Sequence, residues 1–341
     1  MTRSHVAVRR ETSKNGSATS VAGPFFRRVL TVLALALAAD PTARATQAQD
    51  APGLISDETL MTRYASGAST FVTVDGVPLH IRDEGRGPVL LLLNGHLGSL
   101  QMWDAWMPAL TAKFRVIRLD YPPYGLSGPD PSGTYSTERA VELVLKLADQ
   151  LRLERFHIGG TSNGAMVALF FAIAHPQRVD KLVLSTLPAG RPPARQPSEA
   201  MRAAAVALRE QAPYQPRAFW QAFLTDIVAN DAIVTPALID RYHDLNNREG
   251  AKARVDAYIQ TQYRVWDTLD VKAHYAKLTR PALLQWGRDG VVLPERIGHE
   301  VAALLPNAPV TLRQYAGAGH LPMLEQPEAT VRDVIDFLEA R

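Results

Sequence analysis

The stretch Ile158-Gly159-Gly160-Thr161-Ser162-Asn163-Gly164-Ala165 decides how the rest of the chain is read. An apolar, β-like run, Arg155-Phe156-His157-Ile158, enters it. A helix-like run, Ala165-Met166-Val167-Ala168-Leu169-Phe170-Phe171-Ala172, leaves it. Gly160 and Gly164 flank Ser162 in the pattern G-x-S-x-G. A sharp turn from strand to helix crowds the backbone, so small residues are needed two positions to either side of the serine. Such a turn pushes the serine Oγ out above the sheet, where a base can reach it. The helix that follows aims its N-terminal N–H groups at developing negative charge. The plain alternative is a glycine-rich turn with an incidental serine; a strand before the motif and a helix after it weigh against that.

Working outward, the chain alternates strands and helices. Phe71-Val72-Thr73-Val74-Asp75-Gly76-Val77-Pro78-Leu79-His80-Ile81-Arg82 reads as two β-like runs about a turn at Asp75-Gly76. Val89-Leu90-Leu91-Leu92-Leu93 is apolar throughout, as expected of a parallel strand buried on both faces. The small-residue loop Asn94-Gly95-His96-Leu97-Gly98-Ser99 follows it, then a predicted helix from Met102 to Leu110. Arg115–Asp120 is the next strand, and the prolines and glycines of Tyr121–Gly128 exclude a helix there. Ser136 caps a predicted helix with Val141, Val144, Leu145, Ala148 and Leu151 on one face. Beyond the central motif come a strand at Lys181–Ser185, strands at Pro281–Trp286 and Val310–Tyr315, and a last helix from Glu328 to Ala340. This order gives an α/β class with a doubly wound, mostly parallel sheet and chemistry at the strands' C-terminal ends.

From Pro188 to about Leu278 the alternation stops. The pattern there is helical and carries Tyr214, Phe219, Trp220, Phe223, Tyr242, Tyr258, Tyr263 and Trp266. A helical insertion of that size is expected to cap the sheet's active edge, with most of these aromatics in its own core and two or three of them lining a pocket. The expected organisation is a core at 55–187 and 279–341 with a cap at 188–278.

The ends and the composition narrow the field. Arg27-Arg28 precede the apolar run Val29–Ala39, too short to span a bilayer comfortably, and Ala43-Arg44-Ala45 or Thr46-Gln47-Ala48 suits a signal peptidase. Residues 1–50 therefore read as a targeting segment and tail, and the protein as exported, periplasmic or secreted. A start further downstream, which would leave it cytoplasmic, and an uncleaved interfacial anchor are the alternatives. No other stretch is long and apolar enough to cross a membrane. A net charge of +3, with much of the basicity in the first 28 residues, argues against a nucleic-acid-binding face. With no cysteine there is no disulfide, thiolate metal site or cysteine nucleophile. No phosphate loop and no metal-ligand cluster is found, so neither cofactor nor metal is expected.

A serine hydroxyl needs a base to take its proton, and the base needs a group that fixes its tautomer. Of the nine histidines, His320 is the best base: it lies in Ala316-Gly317-Ala318-Gly319-His320-Leu321-Pro322, just after the last strand and so at the same sheet edge as Ser162. The alternative is a solvent-exposed loop histidine.

With these residues in place, the chain from about residue 70 onward resembles the α/β-hydrolase superfamily with a helical cap. The resemblance rests on Asn94–Ser99 with Trp103, Asp120 to Ser127, Gly160-Thr161-Ser162-Asn163-Gly164, Trp286-Gly287-Arg288-Asp289 and Gly319-His320. It implies that Ser162 is the nucleophile and His320 the general base, with the backbone N–H groups of Asn163 and His96 as the oxyanion hole. Two features depart from the family. Asn94-Gly95 stands where His-Gly is usual, and Asn94 is expected to keep a hydrogen bond to its loop. In the common Gly-x-x-Asp-x-x-x-Pro pattern the acid falls on Gly290, and Asp289 is one residue early. Asp289 is expected to orient His320, with Glu295 a distant substitute.

A serine at the elbow excludes the aspartate-dependent dehalogenases and epoxide hydrolases of this fold and leaves acyl chemistry. The expected activity is hydrolysis of a carboxylic ester or lactone on a small to medium, largely apolar substrate through an acyl-enzyme. A carbon–carbon bond hydrolase, an enol-lactonase and a cofactor-free perhydrolase share the same serine and histidine. A ligand-binding protein with a degenerate site is the alternative of another class, prompted by Gly290.

Overall fold

A computed structural model describes residues 53–192 and 196–340. The apolar run at 29–39, the candidate cleavage sites and part of the proline-rich stretch after residue 188 lie outside these described residues. Among the described residues no helix is long and apolar enough to cross a membrane.

Helix α1 (Asp57–Tyr64) leads into strands β1 (Ser69–Val74), β2 (Val77–Gly85) and β3 (Val89–Leu93). A 3-10 turn at Leu100–Trp106 and the short α2 (Met107–Leu110) precede β4 (Arg115–Asp120) and α3 (Thr137–Gln150). Strand β5 (Phe156–Thr161) passes to α4 (Asn163–Ala174), then β6 (Val179–Ser185). Five helices follow without a strand: α5 (Glu199–Gln211), α6 (Arg217–Ile227), α7 (Pro236–Asn246), α8 (Ala251–Thr268) and α9 (Val271–Tyr275). The sheet resumes with β7 (Ala282–Gly287), α10 (Glu295–Ala303) and β8 (Val310–Tyr315), and the chain closes with α11 (Pro322–Glu325) and α12 (Pro327–Glu339).

The strands form one eight-stranded sheet in the order β1-β2-β4-β3-β5-β6-β7-β8. The β1–β2 and β2–β4 pairs are antiparallel and the rest are parallel. The chain winds one way from β3 to β4 and the other way from β5 onward. The reversal lies between β3 and β5, where Leu93 pairs with Gly160. A crevice opens at such a switch point, at the strands' C-terminal ends.

Alternation along the central strands builds two cores. Leu91, Leu93, Ile117, Leu119, Ile158, Leu182 and Leu184 point to the face covered by α3, α4 and the insertion. Leu90, Leu92, Val116, Val183 and Leu283 point to the other, against Trp103, Trp106, Val331, Val334 and Leu338. Ten of the residues of α4 are buried, which is why it is apolar all round rather than amphipathic. The predicted helix at Met102–Leu110 divides instead into a 3-10 turn and α2. Pro108 explains the break: it lacks an N–H and its ring crowds the carbonyl of Asp104, so a continuous α-helix cannot pass through.

Phe219, Trp220, Tyr242 and Tyr258 of the insertion are all buried, and rather than forming a core of their own they join the one on the α3 and α4 face of the sheet. Helix α1, unread in the sequence, packs beneath the insertion: Arg248 forms a two-pronged pair with Asp57, and Arg63 makes a single bond to Asp244.

Candidate active site

Ser162 lies between β5 and α4 with φ 51° and ψ −119°, a conformation that costs a non-glycine residue on the order of 1–3 kcal/mol. The elbow glycines have the predicted cause. A β-carbon on Gly160 would overlap the backbone of Gly164, and one on Gly164 would overlap the carbonyl oxygen of Asn94. Sheet contacts hold the strain: Ser162 N donates to Ser185 O at 2.9 Å, while Met166 N returns to Ser162 O at 3.1 Å. Ser162 keeps accessible surface; Thr161 and Asn163 beside it are buried. As the first residue of α4, Asn163 has an N–H with no acceptor inside the helix.

The loop after β3 closes against the elbow. Gly98 N donates to Gly95 O at 3.1 Å, making a turn with His96 and Leu97 at its head. A β-carbon on Gly95 would stand 3.6 Å from Ser162 Cβ. The side chain of Asn94 donates to Gly95 O (2.9 Å) and Gly98 O (3.1 Å), the hydrogen bond to the loop that the sequence leads one to expect. The insertion holds the same turn from above, through Asn246 Nδ2 to Leu97 O at 2.9 Å. His96 is largely buried but keeps some accessible surface. Its Nδ1 is 2.6 Å from Tyr124 Oη, and burial pushes its pKa down to about 4, so the ring is neutral at ordinary pH.

The side chain of Asn163 makes a contact the sequence did not suggest. It forms a reciprocal amide pair with Gln262 of α8, both bonds 3.0 Å. His96 with Tyr124, and Asn163 with Gln262, thus form two hydrogen-bonded pairs of side chains that carry no charge. Tyr242 Oη would be 3.5 Å from a β-carbon on Gly98, and Tyr258 rings against Tyr124 and Tyr121, so two aromatics of the insertion come down on this site.

His320 is buried in the loop between β8 and α11. Thr186 joins that loop to the elbow: its hydroxyl donates to His320 O at 3.2 Å and lies 3.3 Å from Thr161 Oγ1. His320 N donates to Ile227 O at 2.9 Å, docking the loop on the end of α6. Asp289 is exposed just after β7. Its carboxylate accepts Gly317 N–H at 2.6 Å and its own N–H donates to Ala318 O at 3.0 Å, so it grips the stretch immediately before His320. Glu295 pairs with Arg288 at 3.2 Å, on the outside. Gly290 faces the loop next to the histidine: a β-carbon there would be 3.4 Å from the carbonyl carbon of Gly319.

Among the described residues no group of three or more His, Asp or Glu side chains is placed to share a metal ion.

Residues 88–327 match the sequence model of the α/β-hydrolase fold. A 2-hydroxy-6-oxononadienedioate/2-hydroxy-6-oxononatrienedioate hydrolase of Cupriavidus pinatubonensis is 29% identical over 284 residues, 80% of this chain and 96% of that one. Among solved structures, the enol-lactonase from Burkholderia xenovorans LB400 superposes with a TM-score of 0.64 at 25% identity, covering 80% of this chain and all of the other (100%). A hydrolase from Pseudomonas aeruginosa does so with a TM-score of 0.64 at 30% identity, covering 81% and 100%.

Proposed function

Because the chain belongs to the α/β-hydrolase fold family, we propose that it is a serine hydrolase of small, largely apolar carboxylic esters or lactones, working through an acyl-enzyme. The observation that carries this reading is Ser162: a strained, accessible serine at a strand's end, with a helix N-terminus behind it and the His320 loop tied to it through Thr186.

In this reading His320 takes the Ser162 proton as Oγ attacks the substrate carbonyl. The N–H groups of Asn163 and His96 hold the oxyanion. The alcohol leaves with the proton from His320, and the same histidine then activates the water that releases the acid. Asp289 steadies the base loop through Gly317. The insertion at 188–278 acts as the cap, and Gln262 and Tyr258 bring it into register with the elbow. The segment at 27–48 directs export; cell fractionation with and without it tests that.

Carbon–carbon bond cleavage is the second reading, favoured by the named activity of the Cupriavidus relative. It uses the same attack on a carbonyl but expels a carbon, which must be protonated. The uncharged surroundings of Ser162 favour the ester or lactone, since a dicarboxylate substrate calls for cationic partners.

A fluorophosphonate probe tests the hydrolase reading. Labelling of the purified protein that disappears in Ser162→Ala supports it; absent labelling, or labelling unchanged in that variant, sinks it. A panel of p-nitrophenyl esters, simple lactones and a 2-hydroxy-6-oxo-dienoate then separates the two readings.

A further inference from the structure

Glu325, the last residue of α11, is a buried carboxylate that the mechanism above does not use. Its hydrogen-bond partners are backbone N–H groups. Gly319 N lies 2.9 Å from both Oε1 and Oε2, and Leu321 N lies 3.2 Å from Oε1. Those two residues bracket His320. On the other side, Ala229 N donates to Oε2 at 2.7 Å and Asn230 N at 3.2 Å. Both follow directly on the end of α6 in the insertion. The amide between the bracketing pair, His320 N, donates to Ile227 O, so three successive N–H groups of the base loop are fixed to one small region. Gly319 permits the approach: a β-carbon there would stand 2.7 Å from Ala229 N.

The position to which the family resemblance assigns the acid is Gly290, which has no side chain, although a β-carbon there would face Gly319. Asp289 grips the loop ahead of His320, at Gly317 through its carboxylate and at Ala318 through its N–H. The carboxylate that meets the chain on both sides of His320 is Glu325.

We propose that Glu325 is a positioning residue for His320, binding the base loop to the end of α6 so that the insertion and the base are presented to Ser162 as one unit. It acts through the backbone and touches no reacting atom. Charge-assisted bonds from four N–H groups are strong and directional, and a misplacement near 1 Å of a catalytic group costs roughly a hundredfold in rate. The inference rests on His320 being the general base.

The test compares Glu325→Gln and Glu325→Asp with the wild type, using p-nitrophenyl acetate turnover, fluorophosphonate labelling and thermal unfolding. Gln keeps the shape but offers one acceptor oxygen and turns an NH2 group toward an N–H. It is expected to lower kcat by about 10- to 100-fold with KM changed by less than about twofold, and to slow labelling in parallel. Asp keeps both acceptors on an arm too short to reach all four N–H groups, and is expected to recover only part of that loss, with kcat still about 3-fold or more below wild type at unchanged KM. A folded Glu325→Gln protein with wild-type kcat, whatever its melting temperature, overturns the proposal. So does a loss carried by KM alone. Should the Gln variant fail to fold, the Asp variant decides: reduced kcat at unchanged KM supports the proposal, and wild-type kcat ends it. A wild type that neither labels nor turns over would remove the hydrolase reading and this inference together; any difference between variants bears on Glu325 alone.

Discussion

The molecule assembles a serine, a histidine and an aspartate in hydrogen-bonded series at a place where no elbow exists. On the antiparallel edge of the sheet, Ser69 Oγ lies 2.8 Å from His80 Nε2, and His80 Nδ1 lies 2.7 Å from Asp120 Oδ2. The connectivity is that of a catalytic triad. Yet Ser69 sits in ordinary strand backbone, and its oxygen accepts N–H bonds from Ser66 (3.0 Å) and from Arg82 Nε (3.3 Å). Both lone pairs are engaged, so none is left for attack. Asp120 is also spent on structure: it accepts Leu100 N at 2.6 Å and Leu126 N at 2.9 Å, fixing the starts of two loops. At Ser162 the arrangement is reversed. Its backbone is strained, the residue keeps accessible surface, and a helix N-terminus stands behind it with an N–H that no carbonyl of the helix accepts. A relay of the right three residues is therefore not a catalytic site; what surrounds the serine oxygen decides.

The largest effect that would break this contrast is at the elbow. Ser162→Ala should reduce turnover of any substrate found by at least about 10^4-fold while leaving the melting temperature near that of the wild type; residual labelling elsewhere in the mass spectrum would point to another nucleophile. Next in size is Asp120→Asn. It removes a buried charge on which His80 and two loop N–H groups converge, and should cost about 2–4 kcal/mol in urea unfolding, with the kcat of the folded fraction little changed. A large fall in kcat at unaltered stability would mean that the edge relay serves catalysis after all.

Acid probes the burial of His96, in the loop beside the elbow. His96 is held neutral by burial, its pKa pushed down to about 4, whereas the unfolded chain takes up the proton near the ordinary value of about 6.5. The unfolded state therefore binds more protons between these values, and stability is lost as pH falls from about 6.5 toward 4. His157, His175 and His274 are lowered by burial too and add to the same trend. His96→Asn keeps an acceptor for Tyr124 without a titrating ring, so its melting temperature should fall less steeply over this range. A slope equal to the wild type's would assign the acid sensitivity elsewhere. A smaller gain is expected from Gly290→Asp, which returns a carboxylate to the face of Gly319; kcat should rise by roughly 3- to 10-fold, a fraction of what a triad acid contributes. Ser69→Ala should change least, with kcat within about twofold and a stability loss of about 1 kcal/mol, since its three hydrogen bonds are part-buried or exposed.

Much of the fold could be read from the chain because the central strands are apolar without interruption and their neighbours are punctuated by proline and glycine. The turns that carry Ser162 and His320 were legible for a related reason: they need small residues at fixed spacing, and sequence records spacing well. What escaped it acts through atoms that every residue possesses. Thr186 reaches His320 by a carbonyl oxygen, and Glu325 by amide hydrogens, so neither leaves a compositional mark. Asn163 and Gln262 are 99 positions apart, and only the fold makes them neighbours. The proline break at Met107–Leu110 was present in the sequence but outweighed by an apolar pattern that suits a helix of either kind.

The positive φ at Ser162 has a further consequence, for the history of such a chain rather than its chemistry. A residue without a β-carbon would sit in that turn at ease, so Ser162→Gly should make an inactive protein that unfolds at higher temperature than the wild type, by a margin on the order of 1 kcal/mol. Stability alone would steadily drive this position toward glycine. The serine persists there only while something selects for what its hydroxyl does, which makes position 162 a sensor of whether the protein is still in use.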